Sequence, residues 1–292
     1  MIVALLMCAF AGGALAAGPY ASEGFLEVPP EIELKSVSAV AVDGRGQIYV
    51  LHRDEPPLLV FDPGGKYLRG FGEGLFQTAH GLRIAPDGSV WTTDNGGHVL
   101  RKFSPEGRLL ATYGKRGEPG SGPGHFRSPD DLVFASTGEI FVADAGNGRI
   151  VRLSLEGDYL GEWGRKGDGE GEFAAAHGLA IDDQDRIYVC DRGHDRIQVF
   201  STEGELLAVW GGFGNPFGAL VVGDQLLVSD GDAHRISHLD LKDGKLEAQW
   251  GDPEKLRLPH LMAIDRSGKL YVAEVAGARV QIFSPVEQRT NE

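Results

Sequence analysis

One unit recurs six times along this chain: an apolar strand, a polar turn, and a second strand that usually ends in an acid. The copies open at Ser38, His80, Asp130, His177, Phe217 and His260, a period of roughly 40–50 residues, as in propeller blades. The second copy reads HGLRIAPDGSVWTTD (80–94), the third DDLVFASTGEIFVAD (130–144), the fourth HGLAIDDQDRIYVCD (177–191) and the sixth HLMAIDRSGKLYVAE (260–274). The first, SAVAVDGRGQIYVLH (38–52), ends in His52, and the fifth, FGALVVGDQLLVSD (217–230), is one residue shorter in its turn. A third strand follows each core, such as RIQVF (196–200), and then a fourth, such as ELLAVWG (205–211). Apolar residues alternate with polar ones as strands require, and Asp-Gly, Glu-Gly and Ser-Gly pairs mark the turns. The 43 glycines suit a chain with many turns, and no window reads as a long amphipathic helix. Six four-stranded units predict an all-β fold, a six-bladed β-propeller around a central channel.

Each blade has apolar faces that only its neighbours can cover, so the ring must close. The last unit supplies three strands, ending in VQIFS (280–284), and GFLEVP (24–29) is the candidate for the missing outer strand. Residues 19–292 then form a single propeller domain. The apolar start, MIVALLMCAFAGGALAAG (1–18), is too short for a confident membrane span and reads as a signal peptide, which implies an exported, periplasmic or extracellular protein. A lipid-anchor reading of Cys8 is weaker, because Leu6 and Met7 before it are bulky. Without the leader only Cys190 remains, within an apolar strand pattern, so it is expected to be a buried, inert thiol with no disulfide partner. The net charge of −14 argues against nucleic acid and anionic lipid as partners.

The first strand of each blade lines the channel, and the histidines at its opening position fall on blades two, four and six. Alternate blades of a six-bladed ring stand about 120° apart, so His80, His177 and His260 are expected to converge on the axis. Three nitrogen donors with an open fourth position are the pattern of a catalytic zinc site. Any one of them alone reads more simply as a solvated or hydrogen-bonded channel residue. His98, His125, His194, His234 and His238 fall in turns or third strands and receive no role.

Strand direction places the residue after each unit's terminal acid on the same rim as the histidines. Those residues are Arg53, Asn95, Ala145, Arg192, Gly231 and Val275. Arg53 and Arg192 lie on opposite blades, and their planar forks suit a carboxylate. The competing reading of Arg192 is a salt bridge to Asp191 or a nearby loop acid. Asp94, Asp144, Asp191 and Asp230 recur regardless of the histidine pattern and are read as structural ties. Trp163, Trp210 and Trp250 end outer strands and are read as inter-blade packing.

The pattern G-x-I-Y-V-x-D-x-x-x-x-R-I-x-V-F resembles the NHL repeat. LHRD in blade one, HGL with DG-x-x-W-x-T-D in blade two, HGLAI with DR in blade four, and PH in blade six resemble the peptidyl-α-hydroxyglycine α-amidating lyase (peptidylamidoglycolate lyase) family. The resemblance implies zinc on His80, His177 and His260, and active-site arginines at Arg53 and Arg192. It implies cleavage of a C-terminal α-hydroxyglycine to a peptide amide and glyoxylate. It also implies a structural calcium on the backbone carbonyls of Val40 and Leu82. The chain departs from the pattern twice. Gly146, in ADAGNGRI, fills the slot of the family's catalytic tyrosine, although Tyr113 lies in a strand feeding the rim. Leu261 stands where the calcium aspartate is expected, which leaves Asp131 as a substitute.

Three functions fit this reading. The first is a zinc-dependent lyase acting on a small carboxylated or peptide-terminal substrate. The second is a zinc-dependent, lactonase-like propeller hydrolase with Asp130 or His52 as base. The third is a non-catalytic NHL propeller used for protein binding in the cell envelope. The loops 114–130 and 164–177 are expected to be mobile, Gly-rich shapers of access to the site.

Overall fold

The computed structural model describes residues 19–286. Six four-stranded antiparallel sheets form the blades of a β-propeller. Their inner strands are Ala39–Val42, Ala79–Ile84, Pro129–Phe134, Ala175–Ile181, Pro216–Val222 and Pro259–Ile264. Each neighbours the next around the channel, and the blade-one strand also meets the blade-six strand, so the ring is closed. Second strands end at Leu51, Asp94, Asp144, Arg192, Asp230 and Glu274. The histidine positions and the residues that follow the terminal acids therefore share one rim, as the strand directions predict. One 3₁₀ turn, Ala145–Asn147, is the only helical element among the described residues.

The seams between blades are apolar. Tyr49, Trp91, Phe141 and Tyr188, on second strands, are fully buried. One core cluster joins Phe141 and Ile150 of blade three to Leu179, Val189 and Phe200 of blade four. Trp163 closes that seam from its outer strand, with its ring 4.3 Å from Phe200. Trp250 packs against Phe283 of the next blade at 4.8 Å. Trp210 lies 5.6 Å from Tyr188 of its own blade, within the cluster that continues into blade five.

The terminal acids are ties, as expected. Asp94 accepts from the backbone N–H groups of Thr78 (2.8 Å) and Gly97 (3.0 Å) and from Arg101 (2.9 Å). Asp144 accepts from Arg127 N–H and Arg149, Asp230 from Gly214 N–H and Arg235, and Glu274 from Arg257 N–H and Arg279. Each acid thus joins the loop entering its blade to the start of its third strand. Cys190 is fully buried, and burial pushes its thiol well above the ordinary range, as expected of an inert cysteine.

Ring closure differs in register from the sequence reading. The outer strand of blade six is Tyr20–Phe25, paired antiparallel with Arg279–Pro285, rather than 24–29. The ladder reaches Leu26, whose N–H donates to Val280 O at 2.9 Å. Leu26 is buried in the core shared by blades one and six, and Pro29 and Pro30 beyond it have no N–H to give. Loop 164–177 is also more ordered than expected. Arg165–Lys166 and Glu172–Phe173 form a short parallel ladder, and Phe173 is fully buried. The leader reading of residues 1–18 lies outside the described residues.

Removing Tyr20–Phe25 should destabilise the whole ring, because it strips five paired positions from the closing seam. At ~0.5–1 kcal/mol per ladder bond, plus the lost apolar cover, a loss of about 3 kcal/mol or more is expected in urea melts. An unchanged melt would mean that the ring closes without this strand.

Candidate metal centre

His80, His177 and His260 open the inner strands of blades two, four and six, and all three are buried. Their ring centroids form a nearly equilateral triangle of 4.8, 4.9 and 4.9 Å, with interplanar angles of 72°, 69° and 81°. One ligand nitrogen from each lies within 4.8 Å of the others.

The orientation of each ring is set by the adjacent blade. His80 Nδ1 lies 2.8 Å from Asp130 O, His177 Nδ1 2.6 Å from Phe217 O, and His260 Nδ1 2.5 Å from Ser38 O. A carbonyl only accepts, so each Nδ1 carries the proton and donates. Each Nε2 of the neutral ring is then a lone-pair donor for a metal. Even-numbered blades supply the imidazoles, and odd-numbered blades supply the carbonyls that aim them. His177 Nε2 is buried and has no hydrogen-bond partner. Burial, followed by the positive charge of neighbouring groups, holds His177 and His260 well below the ordinary histidine pKa. Three converging imidazoles, one of them with an orphaned acceptor nitrogen, fit a bound metal ion.

The glycines of the two HGL motifs have a related role. A Cβ on Gly81 would lie 2.6 Å from Asp130 O, and one on Gly178 would lie 2.4 Å from Phe217 O. The same carbonyls receive the histidine protons, so only glycine permits that approach between blades.

Arg53 and Arg192 stand at this rim. Arg53 Nε donates to Ala79 O at 3.2 Å, and Arg192 lies 4.5 Å above the Phe217 ring. Neither guanidinium forms an ion pair among the described residues. The salt-bridge reading of Arg192 does not hold, because Asp191 is taken by Arg196 (2.7 Å), His194 (2.9 Å) and Gln198 (3.1 Å). Burial, eased by the charge of Asp130, lowers the pKa of Arg53 without discharging it. Asp130 lies beside the triad, and Asn95 Nδ2 donates to its Oδ1.

Several candidates prove to be occupied elsewhere. His52 is fully buried; its Nε2 donates to Pro56 O at 2.9 Å and its Nδ1 accepts from Lys35 N–H, so it is not placed to act as a base. Tyr113 stacks on Trp91 at 5.2 Å in the seam between blades two and three, away from the rim. The tyrosine slot is closed: a Cβ on Gly146 would lie 2.4 Å from Arg127 O.

Among the described residues no free carboxylate is present to complete a calcium site with the Val40 and Leu82 carbonyls. Leu82 and Leu261 share an apolar core cluster. Asp131, the substitute carboxylate, is saturated: Oδ1 accepts from Arg83 Nε (3.0 Å) and Leu132 N–H (2.9 Å), and Oδ2 from Arg83 Nη2 (2.5 Å) and Leu179 N–H (2.9 Å). Arg83 Nη2 also donates to Leu179 O at 2.7 Å. A guanidinium supplies the positive charge there and joins blades two, three and four. The sequence reading missed Arg83; its one signal was a cation at a position where the other inner strands carry apolar residues. A cavity of about 350 Å³ opens beside Arg83 and is lined by Ile84, Phe134 and Ile181, but not by the histidines.

The NHL repeat signature matches residues 126–153 and 173–200. Mouse peptidyl-glycine alpha-amidating monooxygenase is 34% identical over 184 residues, which is 52% of this chain and 19% of the mouse protein. A probable peptidyl-alpha-hydroxyglycine alpha-amidating lyase of Caenorhabditis elegans is 28% identical over 158 residues, 46% of this chain and 45% of that protein. The chain resembles the amidating lyases. These matches span less than half of either relative's length. A streptogramin B lyase structure has the same fold, with a TM-score of 0.70 at 14% identity, covering 91% of this chain and 98% of that one.

His177→Ala should reduce the metal that copurifies from near one per chain to near zero by elemental analysis; full retention would refute the triad. Acid should also weaken the metal-free protein. The fold keeps His177 and His260 neutral, whereas an unfolded histidine protonates near pH 6.5. Below that value the unfolded chain binds more protons, so stability is complete above about pH 6.5 and falls as the pH drops through the window beneath it. Urea melts at pH 8 and pH 5 measure this, and His260→Ala should reduce the dependence without abolishing it, because burial also holds His52, His177 and His238 below the ordinary value. Arg83→Met leaves a buried carboxylate unpaired and should cost about 3–5 kcal/mol in the same assay.

Proposed function

We propose that this protein is a zinc-dependent lyase that cleaves peptides ending in α-hydroxyglycine, giving a peptide amide and glyoxylate. The observation that carries the proposal is the convergence of three imidazoles, with two unpaired arginines on the same rim. The amidating lyases that the chain resembles support the choice of reaction. Imidazole donors suit zinc. His80, His177 and His260 would hold the ion, which when bound supplies a Lewis acid for the substrate hydroxyl oxygen.

The remaining tasks fall to the chain itself. Arg53 and Arg192 bind the substrate carboxylate, and their separation on opposite blades fixes its orientation. Phe217, under the Arg192 guanidinium, limits where that side chain can move. The buried imidazoles keep one wall of the site dry. With no side chain available at Gly146, turnover is expected to be about 10²–10⁴-fold slower than with a positioned acid–base group there. The leader-like start supports an exported protein that meets its substrate outside the cytoplasm.

Purified, metal-loaded protein should release glyoxylate from a peptide ending in α-hydroxyglycine. Arg53→Ala and Arg192→Ala should each lower kcat/KM about 10–100-fold, an effect of about 1.4–2.7 kcal/mol, while metal content stays unchanged. No glyoxylate above a metal-free control would reject the lyase. Lactone opening by the same preparation would assign the hydrolase instead. A protein that binds no metal would point to the non-catalytic propeller.

A further inference from the structure

We infer that Asp130 is a fourth, anionic ligand of the metal that His80, His177 and His260 hold. This rests on the metal site proposed above but not on the lyase reaction. Asp130 opens the inner strand of blade three, between two histidine blades. Its Oδ1 lies 3.6 Å from His80 Nε2, and its Oδ2 lies 3.9 Å from His177 Nε2. In a tetrahedral site with bonds of 2.0–2.1 Å, ligand atoms sit about 3.4 Å apart. One carboxylate oxygen is therefore near ligand spacing from His80 and the other lies slightly farther from His177.

The local chemistry calls for a cation at this place. All three Nδ1 atoms donate outward, so in the neutral rings that a metal would require each Nε2 presents a lone pair toward the axis. A carboxylate that faces such lone pairs is repelled unless something positive lies between them. Asn95 is the side-chain donor that reaches Oδ1, and no donor among the described residues reaches Oδ2. Arg53 and Arg192 are near enough to feel the charge, but neither pairs with it. Asp130 itself is only 5% exposed, which leaves Oδ2 little contact with water. A divalent ion between the imidazoles and Oδ2 would satisfy both sets of acceptors.

The other odd-numbered blades cannot do the same. The Ser38 hydroxyl donates to Leu51 O and Ala79 O, and Phe217 packs its ring against His177 and His260. Asp130 alone breaks the threefold pattern, on the side facing His80 and His177. The centre then carries a net charge of about +1 instead of +2, so more of the attraction for a substrate anion rests on Arg53 and Arg192. Substrate would join as a fifth ligand, which zinc accepts.

The test uses the full chain and its Asp130→Asn and Asp130→Ser variants, with folding checked by thermal melts. Zinc affinity is measured by competition with a chromophoric chelator, and cobalt(II) replaces zinc for visible absorption. Both variants should bind zinc at least about 10-fold more weakly. Their cobalt bands should shift and change intensity as the oxygen ligand is lost. Wild-type affinity in both variants would overturn the inference. So would weaker binding with an unchanged cobalt spectrum, since Asp130 would then act from outside the coordination sphere. A wild-type chain that binds no zinc, or a His177→Ala variant that binds it fully, would instead refute the metal site.

Discussion

The hydrogen bond from a histidine Nδ1 to the backbone carbonyl of the next blade is the contact on which this site depends. It occurs three times, at His80, His177 and His260, and each time crosses a seam. Each bond fixes a tautomer, turns Nε2 toward the axis and ties two blades together. The orientation of the donor atoms is therefore a property of the ring, not of any single blade. An isolated blade could carry the histidine but could not aim it.

Much of this was legible because a propeller repeats. The period of the strand–turn–strand unit gives the blade count, and the position of a residue within the unit gives its height in the channel. That was enough to place His80, His177 and His260 together and to set Arg53 and Arg192 on the same rim. The structural reading of Asp94, Asp144 and Asp230 followed from their recurrence. Contacts outside the repeat were harder to read. The pairing of Arg83 with Asp131 joins different units at different positions. The ladder register of Tyr20–Phe25 depends on where Leu26 is buried. His52 resembled a base in sequence, yet Lys35 N–H and Pro56 O claim both of its nitrogens.

Two kinds of positive charge divide the channel. Near the histidine rim an exchangeable ion, held by the imidazoles, would add to the fixed charges of Arg53 and Arg192. Toward the other face the charge is covalently part of the chain, as the Arg83 guanidinium on Asp131. A fixed guanidinium cannot be chelated, so the lower channel keeps its cross-blade tie whatever the metal supply.

Closure by the N-terminal strand has a further consequence, for folding. The Leu26 N–H bonds to Val280, and the Nδ1 acceptor for His260 is Ser38, 222 residues earlier. Such contacts span nearly the whole chain and are slow to form. Until blade six docks on blade one, His260 lacks the carbonyl that aims it, and only two oriented imidazoles face the axis. A metal that needs all three will therefore bind the closed ring in preference to any open one. By mass action it would draw the last and slowest seam shut.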